Sequence, residues 1–191
     1  MRSVSALVTA FTICAAASPS LAAPSPMFDQ FERLCLNTHA EPAAVARAAT
    51  STGADWEVVD DLPPWALQIY GGPFNQVTVR SRPALNDDTF MLVSGLKSLP
   101  GNRAQVCTLS GPIDAAASSA LRAWLGDIKP AVGPGPDGAF AIYEVLETSR
   151  GRRAATKAEV QDRANFDKLI AVIWSSGMGD SLVLSAIASV E

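Results

Sequence analysis

Three apolar-patterned segments, Gln76 to Arg82, Thr89 to Leu96 and Arg103 to Leu109, follow one another with connections too short to hold a crossover helix. Parallel neighbours need a dozen or more connecting residues, so these segments meet as antiparallel strands. In the first, Val77 and Val79 alternate with Gln76, Thr78 and Arg80. The second (TFMLVSGL) is apolar on both sides and reads as a central strand. Pro100-Gly101-Asn102 supplies the turn into the third. The pattern returns at the end of the chain. Leu169 to Trp174 and Leu182 to Val190 flank a turn, Ser175 to Asp180, and Leu182, Leu184, Ala186, Ala188 and Val190 alternate with serines. Ala66 to Tyr70 and Ala139 to Thr148 add two further strand candidates.

Helical periodicity occupies the remainder. Phe28, Phe31, Leu34 and Cys35 share one face of a helix expected over Met27 to Thr38. Pro42 opens and Gly53 closes a second, alanine-rich helix over Pro42 to Thr52. A third, Ala115 to Leu125, has Asp114 as its expected N-cap and Gly126 just past its end. Thr156 and Glu159 stand at capping-box spacing for a fourth, short helix. Between them Pro130 to Gly138 (PAVGPGPDG) reads as the loosest loop of the chain. The fold class expected is α+β, an antiparallel sheet of about five to seven strands with helices packed on one face. Residues 28–191 form one expected domain, after a flexible segment at 23–27.

Met1 to Ala22 has the grammar of an export signal: Arg2, an apolar run from Ala6 to Ala17, Pro19, and the small-residue site Ser20-Leu21-Ala22. The run falls short of the roughly 20 apolar residues a membrane helix needs. Cleavage is expected after Ala22 or Ala23, giving a periplasmic or secreted protein with no membrane span. A lipoprotein reading of Cys14 is disfavoured by the bulky Ile13 before it. Cys35 and Cys107 remain, and in an oxidising compartment they pair as a disulfide. Closing a loop of about 70 residues stabilises by roughly 4 kcal/mol in the chain-entropy treatment. The alternative is two separate buried thiols.

Lys and Arg number 15 against 19 Asp and Glu, and Arg2 belongs to the leader. So acidic a surface lacks the basic field that nucleic acid or an anionic membrane requires. His39, the single histidine, stands four residues after Cys35 and would have to serve any catalytic dyad; pairing of Cys35 with Cys107 removes that thiol. Otherwise His39 sits at a helix end, where the dipole favours it. One His and two distant Cys give no zinc spacing. Asp60-Asp61 and Asp87-Asp88 fall where Asp is common in turns, and no calcium loop, Gly-x-Ser-x-Gly elbow or phosphate-cradling glycine motif occurs. No catalytic residue, metal site or cofactor is expected. Arg150, Arg152, Arg153 and Lys157 form the one local concentration of charge, a candidate anion-binding group or a solvated tip. Trp65, after Pro63-Pro64, is the candidate exposed aromatic contact, while Trp124 and Trp174 lie on apolar patterns that bury them.

Phe31 to Thr38 (FERLCLNT), followed by an alanine-rich helix and Trp56, resembles the start of small uncharacterised exported proteins of proteobacteria. The resemblance, which covers about a third of the chain, implies a periplasmic globular domain and carries no catalytic residues. The reading that follows is a non-catalytic binding or accessory module of the envelope. The alternatives are a hydrolase acting on an envelope polymer through carboxylates, or a small-ligand carrier with a closed apolar pocket.

Overall fold

The computed structural model describes residues 25–51, 56–60, 74–83, 89–99, 102–136, 138–176 and 181–190. The expected leader, the strand candidate Ala66 to Tyr70 and Trp65 lie outside those residues. One antiparallel sheet organises the rest. Its strands are β1 (Glu57–Val58), β2 (Phe74–Pro83), β3 (Thr89–Leu99), β4 (Asn102–Pro112), β5 (Phe140–Thr148), β6 (Gly151–Ala154), β7 (Leu169–Ser176) and β8 (Ser181–Val190). Their spatial order is β1-β2-β3-β4-β8-β7-β5-β6.

Eight strands exceed the expected five to seven, and the difference lies at the two edges. β1 is two residues long and β6 is fully exposed, so neither carries an apolar period. Both exist because a neighbour offers a free ladder: Val58 pairs with Arg80, and Glu147 with Arg152. The N-terminal meander β2-β3-β4 joins the C-terminal strands through β4 and β8, where Cys107 lies opposite Ala186 and Leu109 opposite Leu184.

Among the described residues six helical pieces accompany the sheet. α1 (Pro26–Phe31) continues into a π-helical turn, Glu32–Leu36; α2 spans Pro42–Ser51, α3 Ala117–Leu125 and α4 Lys157–Gln161, followed by a 3₁₀ turn at Arg163–Asn165. Phe28, Phe31, Leu34 and Cys35 are all buried, as the spacing predicts. Two rows of side chains cross the sheet beneath them. Leu92, Leu109, Leu184, Trp174 and Ala141 form one, and Ser94, Cys107, Ala186, Val172 and Tyr143 the next. All ten are buried. Period-two alternation puts both rows on the same face, and Phe31, Leu34, Val45, Leu121 and Leu125 complete that core. α4 buries no residue, so the helices that build this core are α1 to α3.

Local chemistry sets most of the boundaries. The Glu41 carboxylate accepts from the Ala43 and Ala44 amides at 3.1 and 2.6 Å, starting α2 behind Pro42. Thr156 and Glu159 form the expected capping box. Asp114 departs from expectation. It is not the N-cap of α3, whose cap position is Ala116. Its Oδ1 accepts from the Ala116 amide at 2.9 Å, while its Oδ2 accepts from Ser25 Oγ at 2.6 Å and the Met27 amide at 3.3 Å. One carboxylate therefore ties the approaches of α1 and α3 together. The loop after α3 is also more ordered in kind than its composition implies. Ala131 donates to the Ile142 carbonyl at 2.8 Å, Ile142 donates back to Val132 at 2.9 Å, and Trp174 Nε1 donates to the Gly138 carbonyl at 3.3 Å.

Among the described residues no helix is long and apolar enough to cross a membrane.

Candidate functional site

Cys35 and Cys107 are joined in a disulfide that ties the π-helical turn to the centre of the sheet. That bond consumes the thiol that a Cys–His pair would need. His39 and Ala40 both hold left-handed backbone, with φ of 53° and 56°, and turn the chain from the π-helical turn into α2. His39 therefore serves a bend, not a dyad. Among the described residues no cluster of His, Cys, Asp or Glu could hold a metal.

The basic group at the β5–β6 turn does not act as one unit. Arg152 stacks on Trp124, with Cζ 4.1 Å from the ring centroid, and donates to the Trp124 carbonyl at 3.2 Å. Arg153 forms a fork with Glu159, at 2.5 and 2.9 Å. The side chains of Arg150 and Lys157 have no ion pair among the described residues, and both are exposed. Glu147 and Glu159 line the adjoining open cleft of about 600 Å³. The local field is thus mixed in sign, and two of the four cations are engaged.

Glu159 shows how strongly the fork is held. The Arg153 hydrogen bonds, then the Thr156 amide and hydroxyl, pull its carboxyl pKa from 4.5 to about 2. A depressed folded-state pKa stabilises above the ordinary value, and that contribution fades as acid carries the pH from 4.5 down through about 2. The Glu159 carboxyl resonance is expected to titrate near pH 2 and to move back toward 4.5 in Arg153→Gln. An unchanged midpoint in the variant would remove the fork as the cause.

A better-built site lies at the other end of the sheet. On β2 the polar residues Arg80 and Arg82 pair with Leu92 and Phe90 of β3, so they share the sheet face of those two core residues. The alternation alone assigns that side to Val77 and Val79, whose partners Gly95 and Val93 lie on the opposite face. Arg82 is held between two rings, with Cζ 5.8 Å from the Trp56 centroid and 5.6 Å from that of Phe90. Its Nη1 donates to Gln30 Oε1 at 3.2 Å, and Gln30 Nε2 donates to the Pro26 carbonyl at 3.1 Å. The start of α1 thereby orients the guanidinium.

Beside it opens a cleft of about 530 Å³, within the range of small-ligand pockets. Its walls are mainly apolar: Pro26, Met27, Phe90, Pro112 and Ile113. Two charged groups reach it, Arg82 and Asp114. Both Asp114 oxygens accept from the approaches of α1 and α3, so Arg82 is the charge left to meet a ligand. The sequence signal for this site is slight: two arginines two apart on a strand, opposite Phe90 and Leu92 only once the register is known. Compared with known proteins, the chain matches no family model, no curated protein and no solved structure.

Proposed function

We propose that this chain is an exported, disulfide-bridged binding module of the bacterial envelope, without catalytic activity, that takes an apolar ligand bearing an acidic head group. In this reading the mature chain is one α+β domain, with α1 to α3 layered over one sheet face, like the small exported proteobacterial proteins it resembles. A buried disulfide fits an oxidising compartment.

The observation that carries the reading is the cleft: apolar walls converging on a guanidinium that Gln30 and two aromatic rings hold in place. An apolar tail would bury against Met27, Phe90 and Ile113, and a carboxylate or phosphate would accept from Arg82. The cleft is open, and Ile113 at its edge is 57% exposed, which favours docking over enclosed carriage. A hydrolase is less well supported, since the cleft's one carboxylate is committed to the helix starts.

Isothermal titration of the mature chain with dodecanoate and with dodecanol tests this. Dodecanoate is expected to bind about tenfold more weakly to Arg82→Gln, in line with one lost charge-assisted hydrogen bond, while dodecanol binding is unchanged. Equal dodecanoate affinity in both proteins, or no binding of either ligand, would sink the proposal.

A further inference from the structure

Trp56 Nε1 and Arg80 Nη1 are buried donors without an acceptor. Arg80 is 8% exposed and Trp56 is 9% exposed. Arg80 Nη1 and Trp56 Nε1 are both fully enclosed and make no hydrogen bond. Val58 of β1 pairs with Arg80, so Trp56, two residues before Val58, stands across from Arg82, whose guanidinium lies over its ring, and diagonal to Arg80. Neither can satisfy the other, since guanidinium and indole N–H groups only donate.

The charge is the larger difficulty. Burial lowers the affinity of Arg80 for its proton, yet a guanidinium does not give that proton up in a protein. Burying a guanidinium without a counter-charge is strongly unfavourable. Arg82 adds a second positive charge on the same face, its Cα about 7 Å away along the strand. Arg80 forms no ion pair with any described residue, and the acceptor that Arg82 reaches, Gln30 Oε1, is neutral. A water molecule would satisfy the indole but add no negative charge beside the two arginines.

We infer that Arg80 and the indole N–H of Trp56 form a buried seat for a compact oxyanion, such as inorganic phosphate or sulfate, with Arg82 adding field from one side. An oxyanion accepts from the planar guanidinium fork and from the indole together, and its charge offsets both arginines. The seat is separate from the apolar cleft, whose lining includes Arg82 but neither Arg80 nor Trp56. It shares the field of Arg82 with the acidic-amphiphile reading, but no apolar tail enters it, and its test uses Arg80 and Trp56, which that reading does not involve.

The test uses the whole mature chain in a chloride buffer at constant ionic strength, with millimolar inorganic phosphate as the probe. A ligand that binds only the folded state raises the melting temperature saturably, here by a few degrees. Arg80→Met and Trp56→Phe are expected to abolish most of that rise, while Arg150→Gln keeps it. Trp56→Phe retains an aromatic ring and removes only the donor, so it tests the seat even where Arg80→Met fails to fold. Line broadening of the phosphate signal in phosphorus NMR should follow the same order. A response absent from the wild type, equal in Trp56→Phe, or lost in Arg150→Gln instead would overturn the inference. The last outcome would move the anion to the β5–β6 turn.

Discussion

A chain carrying Cys35→Ala and Cys107→Ala is expected to melt about 10 °C below the oxidised wild type. The bond closes a loop of 72 residues, and both cysteines are fully buried. In the chain-entropy treatment, such a loop restricts the unfolded ensemble by about 4 kcal/mol. At this chain length each kcal/mol moves the midpoint by roughly 2–4 °C. The native-state geometry adds a second cost. Cys107 occupies the row Ser94, Cys107, Ala186, Val172 and Tyr143 at the centre of the sheet, and Cys35 belongs to the π-helical turn above it. Removing both sulfurs takes contacts from a close-packed core. Thermal melts followed by circular dichroism, with the bond verified by mass under non-reducing conditions, give the comparison. Midpoints that coincide would mean that the α1–β4 packing holds without the covalent link.

Features that announce themselves by local chemistry were readable in the sequence. Pro42, the Thr156–Glu159 capping box and the alternation from Leu182 to Val190 each specify a conformation within a few residues, and each recurs in the fold. The pairing of Cys35 with Cys107 is expected from the export-signal pattern and an even count, and the two are bonded. What escaped depends on register or on distant partners. β6 is a strand of four exposed residues, and only its ladder to β5 defines it. Asp114 has the composition of a cap, but its role is set by Ser25, 89 residues away in sequence. Arg80 and Arg82 look like the solvent side of β2 because Val77 and Val79 look like its core side. β3, apolar on both faces, leaves that choice open, and the pairing with Phe90 and Leu92 puts the arginines on the face of those core residues. The candidate site therefore lay in residues that pattern reading assigns to water. The basic tip stood out in sequence because its charges are consecutive, yet Trp124 and Glu159 engage two of them.

Gly133→Ala is expected to cost about 3 kcal/mol, and Gly126→Ala only about 1 kcal/mol, although both glycines hold left-handed backbone. Their φ angles are 84° and 60°. A Cβ at Gly126 would meet nothing within 4 Å, so that substitution carries the backbone penalty alone. A Cβ at Gly133 would lie 2.2 Å from the Phe140 carbonyl oxygen and 3.1 Å from Ala141 Cα. Those atoms are β5 backbone, and Phe140 and Ala141 are paired with Ser175 and Trp174 of β7, so the strand cannot step aside cheaply. The loop must move instead, which breaks the bridge between Val132 and Ile142. Urea melts of the two variants should differ by the stated margin, and the amides of Ala131 and Ile142 should exchange faster in Gly133→Ala alone. Composition assigns this proline- and glycine-rich segment the freedom to absorb a methyl group, whereas its hydrogen bonds to β5 deny it. Equal losses in the two variants would mean that the segment yields, and that β5 is held by β7 without help from the loop.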